Sequence, residues 1–205
     1  MSFDFSKIYR MGDQGRRGEL VVRYDEDIDA MAVFLGKQQL STPLVCTWHM
    51  GRTPYDLIPT GDPMLILISQ RVVDVWQKHG FTGWTTFPVE VWNKKQKLEG
   101  YYGLVITGRC GPIDRSRSEI VWRDPVVPGG EGHYYRRGWL FDPETWDGSD
   151  LFCPEKSGAI FVTQRVKEAT EQARLTNIMF KPITEMESMV LPGDPDYREG
   201  PPPGR

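Results

Sequence analysis

Reactive chemistry is what this sequence has least of. It contains no G-x-S-x-G elbow to present a nucleophilic serine. Gly12, Gly15 and Gly18 fall three apart near the start but fit neither G-x-x-x-x-G-K-[ST] nor G-x-G-x-x-G, the two spacings that let backbone amides cradle phosphates. Cysteine is scarce: Cys46, Cys110 and Cys153 are an odd, widely spaced set, unlike a disulfide framework, and are expected to be reduced thiols. Cys46-Thr47-Trp48-His49 has the C-x-x-H spacing of half a zinc site, but a tetrahedral site needs a second close pair, and His133 and Cys153 lie far away in sequence. The acidic stretch Asp142 to Asp150 lacks the alternating ligands of an EF-hand loop. No catalytic residue, metal or cofactor is therefore expected.

Two further absences bound the setting. No apolar run approaches the eighteen or so residues of a membrane span, and the start, MSFDFSKIYRMGDQGRRG, lacks the apolar core of a secretory signal, so a cytoplasmic protein without membrane contact is expected. The net charge of -3 and pI near 5.7 give no support to binding driven by phosphate neutralisation, and nucleic acid is not expected as a partner. What remains is a chain of 205 residues with 39% hydrophobic, 12% aromatic and 26% charged residues, enough to bury one substantial core.

What is there is a repetition. Residues 65 to 91 (LILISQRVVDVWQKHGFTGWTTFPVEV) recur as residues 159 to 185 (AIFVTQRVKEATEQARLTNIMFKPITE) at a constant offset of 94. Ile66, Gln70, Arg71, Val72, Thr82 and Pro88 are identical to Ile160, Gln164, Arg165, Val166, Thr176 and Pro182, and Ser69, Asp74 and Val89 are conservatively exchanged for Thr163, Glu168 and Ile183. Self-similarity of this kind marks a reused supersecondary unit. Each copy reads as strand, helix, strand. An apolar run ends on a hydroxyl residue suited to a helix N-cap, Ser69 or Thr163. Val72, Val75, Trp76 and His79 in one copy, and Val166, Ala169, Thr170 and Ala173 in the other, then fall on one helical face. Val72, Val75, Trp76, Val166 and Ala169 are expected to be buried. Gly80 or Arg174 closes the helix, and an extended run returns to a proline suited to an edge or strand start.

The rest of the chain is assigned more coarsely. Residues 1–18 read as an N-terminal arm, residues 19–190 as the α+β domain, and residues 191–205, with five prolines, as a disordered tail whose removal should leave folding intact. Strands are expected at Glu19 to Tyr24, Leu44 to Trp48, Phe87 to Trp92, Gly100 to Thr107, Glu119 to Trp122 and Tyr134 to Phe141, and a helix over Asp25 to Leu35 with Gly36 as its C-cap. The fold class is α+β: a single globular domain in which two related strand-helix-strand units pack on an antiparallel or mixed sheet.

Two segments carry surface character. Phe141 to Phe152 (FDPETWDGSDLF) joins Asp142, Glu144, Asp147 and Asp150 to three aromatics without a basic residue, a combination that suits a basic partner. Tyr134 to Trp139 (YYRRGW) is aromatic and basic, as a nucleotide-stacking surface or an ordinary sheet edge would be.

The stretch GWLFDPETWDGSDLFCPEKSGAIFVTQRVKEATEQARLTNIMFKPI, with Leu151-Phe152, Ile160 to Thr163, Arg165, Ala169, Leu175-Thr176, Phe180 and Pro182, resembles the C-terminal half of an immunity-protein family of bacterial polymorphic-toxin systems, the eleventh numbered family of that classification, abundant in myxobacteria. Upstream, Tyr101-Tyr102, Asp114, Arg117-Ser118 and Glu119 are similar to the family's middle section, so the resemblance spans roughly residues 20 to 185. It implies a cytoplasmic protein of interbacterial competition that binds a cognate toxin and blocks it without catalysis. It carries over no catalytic residues.

The acidic segment then supplies the candidate partner-binding residues: Trp146, Asp147 and Asp150. Two other readings stand beside this one. An enzyme, such as a hydrolase drawing on Cys46, His49 and Glu90, needs those groups to converge in a pocket. A nucleic-acid or small-ligand module using Tyr134 to Trp139 needs a coherent basic face.

Overall fold

The structure, a computed structural model, describes residues 3–202. In chain order it contains β1 (Ile8–Asp13), β2 (Val21–Arg23), α1 (Ala30–Phe34), β3 (Leu44–Met50), β4 (Leu57–Pro59), β5 (Ile66–Ser69), α2 (Gln70–Lys78), β6 (Trp84–Asn93), β7 (Gln96–Leu98), β8 (Tyr101–Ile106), β9 (Gly108–Cys110), β10 (Glu119–Arg123), β11 (His133–Arg137), β12 (Leu151–Pro154), β13 (Ile160–Thr163), α3 (Gln164–Gln172), β14 (Ile178–Pro182) and β15 (Glu187–Met189). The strands form three sheets. One runs β2-β3-β6-β8-β5-β4 with β7 on β6, the second runs β14-β1-β13-β12-β9, and the third is β10-β11-β15. Sheet therefore dominates a single mixed α/β domain with few helices.

The helices form where the apolar spacing places them. Val72 and Trp76 on α2 and Val166 and Ala169 on α3 are buried, whereas Val75 is half-buried because Val73 takes part of the inward arc. The two helices meet where the Trp76 indole N–H donates to the Thr170 hydroxyl at 3.3 Å. Ser69 and Thr163 begin the helices in matching extended conformations, φ/ψ -74/160 and -73/160. Neither hydroxyl caps its own helix. Both turn to a buried aspartate instead: Ser69 Oγ donates to Asp56 at 2.7 Å, and Thr163 Oγ1 to Asp150 at 3.1 Å.

Each aspartate also binds across the molecule. Asp56 Oδ2 accepts the Arg71 guanidinium at 2.8 Å from the helix it starts, and the Thr176 amide and hydroxyl, both at 2.8 Å, from the turn that follows the other helix. Asp150 accepts Arg165 at 3.0 Å and, reciprocally, the Thr82 amide at 3.2 Å. Arg71 reaches the carbonyl of Ala173, and Arg165 that of His79. The backbone follows the same pattern, Leu57 N to Thr176 O and Leu151 N to Thr82 O. Past each helix the chain takes two left-handed residues, Gly80 and Gly83 in one place, Arg174 and Asn177 in the other. At Gly83 a Cβ would lie 2.0 Å from the Leu151 carbonyl oxygen, so only glycine fits there.

The strand order carries a second crossing. β8 lies antiparallel between β5 and β6, and β1, from the front of the chain, lies antiparallel between β13 and β14. Residues 8–13, expected in an arm outside the domain, are thus an inner strand of a five-stranded sheet, second from its β14 edge. Ile8 and Met11 are buried there, but their spacing of three hides the alternation that marks a strand in sequence. The helix expected over Asp25 to Leu35 shortens to Ala30–Phe34, because Asp29 is its N-cap and accepts the Ala32 amide at 2.9 Å. The tail is tied as well: the buried Arg136 guanidinium pairs with both Asp194 and Asp196.

The core has two parts. The larger packs α1, α2 and α3 against the first sheet and one face of the second; the smaller is aromatic, with Phe141, Phe152 and Phe161 buried beside Phe3, Phe5, Trp139 and Trp146. Separating residues 1–98 from residues 99–205 leaves the first fragment without β8, which joins β5 to β6, and the second without β1, which joins β13 to β14. Neither fragment alone is expected to melt cooperatively, and an equimolar mixture is expected to regain the circular dichroism of the intact chain. A sigmoidal melt from either isolated fragment contradicts this.

Candidate functional site

The acidic loop between β11 and β12 is built from short-range bonds. Asp142 caps the turn Pro143–Thr145 by accepting the Glu144 amide at 3.2 Å, and Thr145 Oγ1 accepts the Gly111 amide at 2.7 Å. Asp147 holds the loop from the other side: one carboxylate oxygen accepts the Ser149 amide at 3.0 Å and the second the Arg109 amide at 2.8 Å. The Trp146 ring lies half-buried between Phe3 and Phe152, at 5.6 and 5.3 Å, with its N–H on the Ser149 carbonyl.

The three residues singled out in sequence thus occupy three environments. Asp147 is exposed, Trp146 shows part of its ring, and Asp150 is 6% exposed and spends its carboxylate on Thr82, Thr163 and Arg165. The surface the loop presents is Asp142, Glu144 and Asp147 around Trp146. Asp150 acts one step behind it, fixing where the loop enters β12.

The groups of the hydrolase reading do not face one another. Alternation along β3 turns Cys46 into the core, while Val45, opposite Glu90 in the β3–β6 register, lies on the other face. His49 is exposed, and Glu90 pairs with Lys97 at 3.6 Å. Burial, with a contribution from the Glu26 carboxylate, pushes the Cys46 thiol up to about 12. Burial likewise pushes Cys110 up to about 12 and Cys153 to about 11, so all three thiols are protonated and poorly nucleophilic near neutral pH. Among the described residues no group of three or more His, Cys, Asp or Glu is arranged to hold a metal ion.

The basic residues of Tyr134 to Trp139 are committed inside the molecule. Arg136 is on the tail carboxylates, Arg137 is 3.0 Å from Glu187, and Glu187 also takes Arg123. The Glu187 carboxyl is held below the usual carboxylate range, chiefly by the hydrogen bond from Arg123. Tyr134 is 9% exposed, and Trp139 joins the aromatic cluster.

Sequence reasoning missed a cleft of about 740 Å³ between the β10–β11 hairpin and the tail. Trp122, Tyr134, Glu131, Tyr197 and Arg198 line it. The signal existed, since Tyr197 and Arg198 are the bulky side chains of a segment set aside for its prolines.

The burial of Asp150 generates a prediction. Asp150→Ala strands the Thr82 amide and the Thr163 hydroxyl, and is expected to destabilise the fold by about 3 kcal/mol, whereas Asp147→Ala costs about 1 kcal/mol or less. Urea melts of the two variants measure the difference. Equal midpoints mean that the Asp150 carboxylate does not hold the fold.

Compared with known proteins, residues 24–185 match the model of an immunity protein family, Imm11, which covers both helices and both crossed aspartates. No match was found among curated proteins.

Proposed function

The chain belongs to the Imm11 immunity protein family, and from that premise we propose that it binds a cognate bacterial toxin and neutralises it by occlusion, without catalysis of its own. The family match over residues 24–185 carries the reading. Occlusion needs a complementary surface of ordinary interface size, about 800 Å² on each partner, and no reactive group. The scattered placement of Cys46, His49 and Glu90 and the raised thiols agree with such a protein. Its place of action is the cytoplasm of a cell exposed to the toxins of its neighbours.

We assign the contact to the acidic loop. Trp146 is the aromatic anchor and Asp147, with Asp142 and Glu144, the charged ring, a combination suited to a toxin with a basic cleft. Asp150 serves the contact by holding the loop. The bonds recurring at the offset of 94 further support reading residues 65–91 and 159–185 as two related strand-helix-strand units, copies of one ancestral piece.

Co-expression with the toxin encoded by the adjacent gene tests this. The wild-type chain is expected to restore growth, and the pair Trp146→Ala and Asp147→Ala to abolish rescue with the melting temperature lowered by no more than a few degrees. Asp150 is left intact so that misfolding does not imitate loss of contact. Full rescue by the folded double variant moves the interface elsewhere; absence of rescue by the wild type, with the toxin active and the chain expressed, removes the immunity reading.

A further inference from the structure

The cleft under the tail has the chemistry of a receptor for a planar cation. Trp122 and Tyr134 meet edge to face at 4.9 Å and form an aromatic corner. Trp122 is fixed in orientation by its indole N–H, which donates to Asp124 at 2.8 Å. Glu131 on the hairpin side and Glu199 on the tail side are exposed carboxylates at the mouth. A cation over an aromatic face gains from the ring quadrupole, and the gain grows where neighbouring carboxylates add their field.

One cation is already there. The Arg198 guanidinium carbon lies 5.9 Å from the centre of the Tyr134 ring. Two residues upstream the tail is clamped by the paired bonds of Asp194 and Asp196 to Arg136, so Arg198 is presented on a short tether. The volume of about 740 Å³ is larger than one guanidinium fills, and the cleft accepts more chain than Arg198 brings.

We propose that this cleft receives an arginine side chain of the toxin and that Arg198 occupies the place until the partner displaces it. The proposal rests on the toxin-binding reading and adds to it a second contact, which like the acidic loop offers aromatic and acidic groups to a basic partner. Arginine is favoured over lysine because a flat, weakly hydrated guanidinium stacks on an aromatic face, where a compact ammonium keeps its water. A nucleic-acid occupant is disfavoured by Glu131 and Glu199, whose charge repels phosphate. The tethered Arg198 competes at a high effective concentration, so a lone arginine binds weakly and a partner engaging other surfaces at the same time binds well.

The probe is a fluorescein-labelled tetra-arginine peptide, with binding read by anisotropy at low salt. Arg198→Ala is expected to tighten binding at least about threefold relative to wild type. Adding Trp122→Ala to that variant is expected to reverse the gain, as is the paired surface change Glu131→Gln and Glu199→Gln, which leaves the aromatic corner intact if the tryptophan variant fails to fold. A tetra-lysine peptide is expected to bind more weakly than tetra-arginine. Arg198→Ala binding no more tightly than wild type overturns the proposal, and equal affinity for tetra-lysine overturns its guanidinium specificity. The peptide arm needs no toxin. If it behaves as expected but the glutamine pair binds the toxin as tightly as wild type, the toxin's arginine is excluded as the occupant and the immunity reading stands; if the wild-type chain does not bind the toxin at all, both fall.

Discussion

Two buried carboxylates hold this fold together by each serving both helical segments at once. Asp56 and Asp150 sit 4% and 6% exposed, a costly position for a charge. The cost is offset because each carboxylate oxygen has a donor: a hydroxyl at the start of the near helix, an arginine two residues on, and the amide of a threonine beyond the far helix. The arginine side chains are themselves more than half exposed, so the ion pairs are screened, and the short neutral donors inside do more of the work. Since each aspartate links a helix start to the opposite helix exit, neither segment can shift without breaking bonds at both ends. The positions of the remaining strands follow.

Around that crossed core the molecule is uneven. The first sheet carries β3 beside β6, and at Val22↔Thr60 its outer strand returns beside β4, so it curls back on itself. The second sheet stops at β14, where Pro182 ends the strand and the chain turns into a short 3-10 turn. The acidic loop is bonded to β9 at the opposite edge of that sheet, the aromatic cluster packs Phe152 and Phe161 of β12 and β13 against Phe141, and the hairpin β10–β11 with β15 forms a sheet apart. Both surfaces argued to meet a partner, the loop around Trp146 and the cleft beside Trp122, lie on these additions to the framework.

Much of the framework was legible in the sequence, for a physical reason. Helical periodicity in α2 and α3 and the fixed register between them are local signals, and each residue reports its own environment. The aspartates were hidden because a carboxylate in a turn reads as solvated. Extending the register upstream from residue 65 aligns Asp56-Leu57 with Asp150-Leu151, an identity that would have marked both positions as shared and not surface. That extension would have separated Asp150 from Trp146 and Asp147. Strand β1 is illegible on other grounds: its partners lie in β13 and β14, far along the chain, and Gly12 and Asp13 at its end look like a turn. The prolines of the tail suggest disorder, whereas its two aspartates matter because among the described residues they are the carboxylates paired with Arg136 of β11.

The placement of β1 also has a meaning in time. The ribosome delivers Ile8–Asp13 well before the strands that flank it, Ile160–Thr163 and Ile178–Pro182. At about 5–20 residues per second, roughly eight to thirty-five seconds separate the two events. During that interval the leading strand has no sheet to join. The second sheet is thus completed only after residue 182 has been made, and a translation product that stops short of it lacks the full scaffold on which the acidic loop is displayed.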